Sequence, residues 1–408
     1  MKKIKVIKEI KTIKDLFTKN LLFLTNSMVF SEFGNVVYNT ALSFWILDIT
    51  NSTLLMGWMS FISIMPQLLL SPFIGIYVDR HNNKKIIVFM DILRGISMCL
   101  FGIITLFGIN NIVFILINSI LLSISNCFYQ TSINASLINI FPKGKFVEAN
   151  AISNSIINFS EVFAASISGI LLSILIAPIL FIINGITFFI SAISNSFLNL
   201  PVENFNCEKK NIKDELLFTV NLCKKNKKLI KFILIRCLLG FLLRINLILI
   251  IPLFNIKYNK IFYGFANSFL MIGTLIGGIS LIYVKKYLSE NKILFLSIII
   301  TAIAIISISN INNICLIFIF MLLLGVSLNI YNILTESNIV LLVPKEHRAK
   351  SLSIIFQIIF LFIGFGNLLG GFLGNYINIP LILTLNSFLI LIISIIYYKY
   401  QSKNFEIQ

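Results

Sequence analysis

Apolar residues run along this chain in blocks of about twenty, and short polar clusters separate one block from the next. Within the blocks neither the strict alternation of a half-buried strand nor a single polar helix face dominates. A helix rising about 1.5 Å per residue crosses the roughly 30 Å hydrocarbon layer of a bilayer in about twenty residues, so each block has the length of a membrane span. Strands can cross only as closed barrels of short alternating segments, which these runs do not form. The pattern predicts twelve spans: 20–47, 53–78, 85–108, 111–140, 146–175, 178–200, 230–255, 261–284, 291–309, 312–342, 350–374 and 378–398. The expected fold class is all-α, a polytopic membrane protein. The first block is too long for a signal peptide and lacks a small-residue cleavage site, so it is read as a span.

Composition sharpens this picture. Hydrophobic residues make up 58% and charged residues 12% of the chain, about half the charged share of a soluble domain. A net charge of +17 could suggest nucleic acid, but the placement of the cations excludes that reading. With the N-terminus inside, 28 of the 33 Lys and Arg fall at inner ends of the spans. Only Lys257 and Lys260 fall outside, while Arg94, Arg236 and Arg244 lie within spans. This inner bias puts both termini in the cytoplasm of a multi-pass protein of the inner or plasma membrane. Residues 1–19 form a basic segment that can lie on the inner leaflet or remain a solvated tether. The six cysteines form no CxxC pair, and His81 and His347 lie in separate loops, so neither a disulfide nor a metal site is expected. No phosphate-binding glycine loop ending in Gly-Lys-Ser/Thr occurs, no cofactor is implied, and an ion gradient is the expected energy source.

The two halves repeat. IYVDRHNNKKII at 76–87 aligns with IYVKKYLSENKIL at 282–294, and NIFPKGKFVEANAISNS at 139–155 with VLLVPKEHRAKSLSII at 340–355. Six spans therefore map onto six in the same orientation, as in transporters built from parallel repeats with a substrate site near the membrane midplane. The expected organisation is a six-helix half at 20–200, a cytoplasmic linker at 201–229, a second half at 230–398 and a cytoplasmic tail at 399–408.

The segment GIYVDRHNNKK resembles the loop signature of the major facilitator superfamily, with Gly75, Asp79, Arg80 and Lys84 at the signature positions. Asn82 and Asn83 stand where that family usually has a charged residue or glycine, and the second copy has Lys285 and Lys286 in place of Asp-Arg. Further features are similar to the macrolide-efflux and siderophore-exporter branch: Thr50 and Ser52, Pro66-Gln67, Pro72-Phe73-Ile74-Gly75, Asp91 with Arg94, and Pro142 followed by Ala149-Asn150. The resemblance covers the whole chain. It implies two pseudo-symmetric six-helix halves, a cytoplasmic gate loop at 75–84, and a cavity lined by spans one, four, seven and ten. One departure concerns span five, where Ala164-Ala165-Ser166-Ile167-Ser168-Gly169 replaces the glycine-proline element of drug exporters.

Polar residues inside spans are costly and mark candidate sites. Span one carries Glu32, Asn35 and Asn39 on one face, span four carries Asn126, Gln130 and Asn134, span seven Arg244 and Asn246, and span ten Asn329, Asn332 and Glu336. These are candidates for contact with a small-molecule substrate. Glu32, Glu336 and Glu161 are candidates for carrying protons, and Arg244 requires a counter-charge for which Glu32 is one candidate. The expected function is proton-coupled efflux of an amphipathic compound, macrolide-like or siderophore-like, by a monomer in the bilayer. The alternatives are uptake of a small polar solute and a non-transporting membrane receptor. No nucleophile–base constellation points to an enzyme.

Overall fold

The computed structural model describes residues 19–109, 111–140, 146–199, 222–224, 226–344 and 348–405. Twelve long helices account for nearly all of them: α1 Lys19–Thr50, α2 Thr53–Val78, α3 Asn83–Leu106, α4 Ile112–Ile140, α5 Phe146–Ile174, α6 Ala177–Ser196, α7 Lys227–Lys257, α8 Lys260–Val284, α9 Glu290–Asn310, α10 Ile314–Leu342, α11 Arg348–Tyr376 and α12 Ile379–Phe405. The described residues contain no strand. Most ends lie within a few residues of those the apolar blocks predict. The exception is α12, which runs on to Phe405 through YYKYQSKN, because hydropathy marks where lipid ends and not where backbone hydrogen bonding ends. Residues 1–18, most of the expected linker, and the Pro142 turn lie outside the described residues.

Among the described residues, eleven helices are both long and apolar enough to cross a membrane, α2 through α12. α1 has 32 residues, about 48 Å of helix, but Asn20, Asn26, Glu32, Asn35, Asn39 and Asp48 dilute its hydropathy. Many large apolar side chains elsewhere are exposed, as expected where the surrounding solvent is hydrocarbon.

Contacts group the described residues into two compact units, one drawn from 1–41 and 69–209 and the other from 42–68 and 210–408. The end of α1 and most of α2 thus cluster with the second unit. There, Thr53 Oγ1 donates to Gly371 O at 2.8 Å, and Lys260 Nζ meets Asp48 Oδ2 at 2.5 Å.

Within the first unit α3 packs most extensively on α6. Gly102 and Gly185 allow that seam, since a Cβ on either would overlap the partner's backbone. The seam encloses Asp91 and Arg94, both almost wholly buried and paired with each other. The second Asp91 oxygen accepts from Ser191 Oγ at 2.9 Å and Asn195 Nδ2 at 2.7 Å, both on α6. Arg94 also donates to Asn126 Oδ1 on α4 at 3.2 Å, and its guanidinium lies between the rings of Tyr129 (4.0 Å) and Phe188 (4.4 Å). One buried ion pair therefore joins three helices.

In the second unit the largest seams are α8 on α10 and α7 on α11. The GFGNLLGGFLG stretch supplies the latter: Gly366, Gly370 and Gly374 lie directly against Phe241, Ile245, Ile248 and Leu249. Small residues are what let membrane helices approach this closely. Asn386 on α12 donates to Asn246 Oδ1 (2.9 Å) and to the Leu242 carbonyl (2.8 Å), clasping α7.

The gate-loop segment is a tight turn between α2 and α3. Asp79, Arg80 and His81 close it with backbone bonds back to Gly75, Tyr77 and Val78. Asn82, a departure from the family pattern, caps α3 by accepting from Lys85 N at 3.2 Å.

Candidate functional site

In the first unit the polar groups converge on α1 and α5. The two helices are tied by Thr25 to Ser153 at 3.2 Å and by Ser160 Oγ to the Val29 carbonyl at 3.2 Å. Glu161 on α5 lies within electrostatic reach of Glu32 on α1. Both are half-buried, and neither forms an ion pair among the described residues. Asn35 Nδ2 donates to Glu32 Oε2 at 3.2 Å, so one member of the pair is oriented from its own helix. Asn39 is exposed farther along α1, Gln130 is half-buried, and Asn126 and Asn134 are exposed on α4.

In the second unit α7 and α10 carry the corresponding groups. Arg236 donates to Asn332 Oδ1 and Thr335 Oγ1, each at 2.7 Å, and pairs with Glu336 Oε1 at 3.0 Å. Its guanidinium stands 5.0 Å from the Tyr331 ring centre. Glu336 is therefore already held by a cation, with about half of its side chain exposed (52%). Asn329 Nδ2 donates to the Thr274 carbonyl on α8 at 2.5 Å and works as a helix tie.

Two placements depart from the sequence reading. Asn246, expected to line a cavity, is fully buried and its amide is used by Asn386 and Ser387. Spacing put it near Arg244 in sequence, but two residues on a helix turn about 200° and face opposite ways. Arg244, expected to have a counter-charge, forms no ion pair or hydrogen bond among the described residues. Protein surrounds it, yet its side chain is exposed, as on the wall of a cleft.

Sequence reasoning missed the role of Arg236, and it treated Tyr331 only as a neighbour of the stripe. A signal was present: the offset of 202 that aligns Pro142 with Pro344 also aligns Tyr129 with Tyr331. Each tyrosine is buried and carries a guanidinium over its ring, supplied by α3 in one unit and by α7 in the other.

Twelve helices with internally repeated halves and polar groups at mid-span have the architecture of a membrane transporter. The transmembrane secretion effector family model matches residues 16–408, and the chain belongs to this family of the major facilitator superfamily. Among curated proteins it is similar to macrolide efflux protein A of Streptococcus pyogenes, 21% identical over 269 residues, or 64% of this chain. The match covers 65% of that protein's length, slightly under two thirds. It is also similar to the transporter YfiS of Bacillus subtilis strain 168, 26% identical over 243 residues, covering 56% of this chain and 55% of that one. Among solved structures, the nucleoside transporter NupG superposes with a TM-score of 0.73 at 15% identity, over 95% of this chain and 99% of NupG. A bacterial homologue of the human lysosomal transporter Spinster superposes with a TM-score of 0.70 at 14% identity, covering 94% and 96% of the two chains. At these identities the structural likeness concerns the fold.

Proposed function

We propose that this transporter exports an amphipathic compound across the plasma membrane in exchange for protons, by alternating access, as a monomer with both termini in the cytoplasm. The observation that carries this reading is the pair of carboxyls on α1 and α5. Glu32 acts on Glu161 with like charge, and neither carboxyl has a compensating cation among the described residues. A carboxyl inside a span that faces a like charge and no cation is suited to carrying a proton, so the two glutamates are the candidate coupling site. Glu336 lacks this character because Arg236 already compensates it. The efflux direction and an amphipathic cargo are supported by the likeness to macrolide efflux protein A. One charge moved through 100 mV is worth about 2.3 kcal/mol, enough for roughly fifty-fold accumulation per proton.

Asp79 and Arg80 would act at the cytoplasmic end, where the exposed turn after α2 can meet and release a partner surface during the cycle. The test is substrate-evoked proton movement in proteoliposomes with a panel of macrolides, dyes and catechol siderophores. Proton flux that requires added substrate supports antiport. Substrate accumulation without any proton movement contradicts it, and accumulation only in the uptake direction would instead support import of a polar solute.

A further inference from the structure

We infer that Arg244 docks a negatively charged group of the transported molecule, so that the substrate class is the anionic amphiphile: a carboxylate, sulfonate or phosphate joined to an apolar body. This rests on the transport reading above and specifies what the site takes.

Arg244 lies 13 residues from the nearer end of α7, roughly 20 Å along the helix and so near mid-span. A cation at that depth is expensive, and the other two arginines within spans have each recruited an acid: Arg94 has Asp91 and Arg236 has Glu336. Arg244 has no such partner among the described residues, although it is exposed within surrounding protein. Arg236, two turns away on the same helix, acts on it with the same sign and deepens the demand for an anion.

Gly366 of α11 packs against the base of the Arg244 side chain, where an added Cβ would come within 3.0 Å of the arginine's own Cβ, while the side chain as a whole remains exposed. A planar guanidinium presents paired N–H donors that match a carboxylate, sulfonate or phosphate. One turn away on α7, Phe241 lines an apolar groove of about 450 Å³ together with Trp58, Phe362, Phe365 and Leu369. The groove walls are almost entirely carbon, which suits the apolar body of the same molecule and not a second charge.

The experiment is equilibrium binding to the purified full-length protein in lipid nanodiscs, followed by fluorescence anisotropy with no ion gradient. Two probes share a xanthene core: anionic fluorescein and cationic rhodamine 6G. The wild type should bind fluorescein saturably and at least ten-fold tighter than rhodamine 6G. Arg244→Gln should weaken fluorescein at least ten-fold and leave rhodamine 6G unchanged, while Arg244→Lys should retain most of the preference. On the wild type, 1-naphthalenesulfonate should displace fluorescein and uncharged 1-naphthalenemethanol should not; this arm needs no variant to fold.

Absence of saturable fluorescein binding, equal weakening of both dyes by Arg244→Gln, or equal displacement by both naphthalenes would overturn the proposal. So would recovery of fluorescein affinity in the double variant Glu32→Gln/Arg244→Gln, because Arg244 would then serve only to neutralise Glu32. Because binding is measured without a gradient, a failure of proton coupling would leave these results intact and is told apart from a failure here.

Discussion

Arg94 shows how much one side chain can hold in this protein. Its guanidinium is paired with Asp91, bonded to Asn126 and stacked on two aromatic rings, all away from water. Arg94→Gln leaves Asp91 charged and uncompensated, and a loss of about 3–5 kcal/mol is expected. Thermal unfolding in detergent should show it, and Asp91→Asn/Arg94→Gln should recover a large part. Arg94→Lys should not rescue, because an ammonium cannot both stack and fork. Asn246 provides the contrast within the candidate set: Asn246→Ala should lower the melting temperature through loss of its bonds to Asn386 and Ser387, with dye preference unchanged. The sequence made Arg94 and Asp91 legible as a pair because i and i+3 share a face. It could not show that Asn246 faces α12, since spacing along one helix carries no information about its neighbour.

At the scale of elements the seams between helices decide what is tolerated. A Cβ on Gly325 of α10 would overlap the Leu270 carbonyl of α8, and one on Gly273 would meet Leu322 in return. Gly325→Ala should therefore cost about 1–3 kcal/mol through forced separation of α8 and α10. Gly75→Ala should leave unfolding unchanged, because no atom lies within 4 Å of the added methyl. Any loss of transport in Gly75→Ala then reports the gate loop and not the fold. Asn82→Ala removes the cap of α3 and should cost about 1 kcal/mol. Helix positions were legible from apolar block length, and the glycines of GFGNLLGGFLG at 364–374 mark a close helix approach. The partner helix was not legible, because small residues announce a close approach without naming what approaches. The same limit hid the relation of Glu32 to Glu161: each carboxyl was visible on its own helix, but the α1–α5 register is set by contacts of Thr25, Ser153 and Ser160 across the two helices.

For the molecule as a whole, the repeat in sequence is reproduced in packing. α3 packs on α6 and on α4 in the first unit, as α9 packs on α12 and on α10 in the second. The repeat is not chemically even. Among the described residues, the first unit holds Glu32 and Glu161 without a paired cation, and the second holds Arg244 without a paired acid. On the two proposals above, the proton belongs to one repeat and the charged end of the substrate to the other. The most direct test of that assignment is the substrate-evoked pH change in proteoliposomes for wild type, Glu32→Gln, Glu161→Gln and Glu336→Gln. The account predicts that flux is lost in both Glu32→Gln and Glu161→Gln and survives, with altered substrate dependence, in Glu336→Gln. Flux that persists in Glu32→Gln and Glu161→Gln but vanishes in Glu336→Gln would contradict it and move the coupling site to α10.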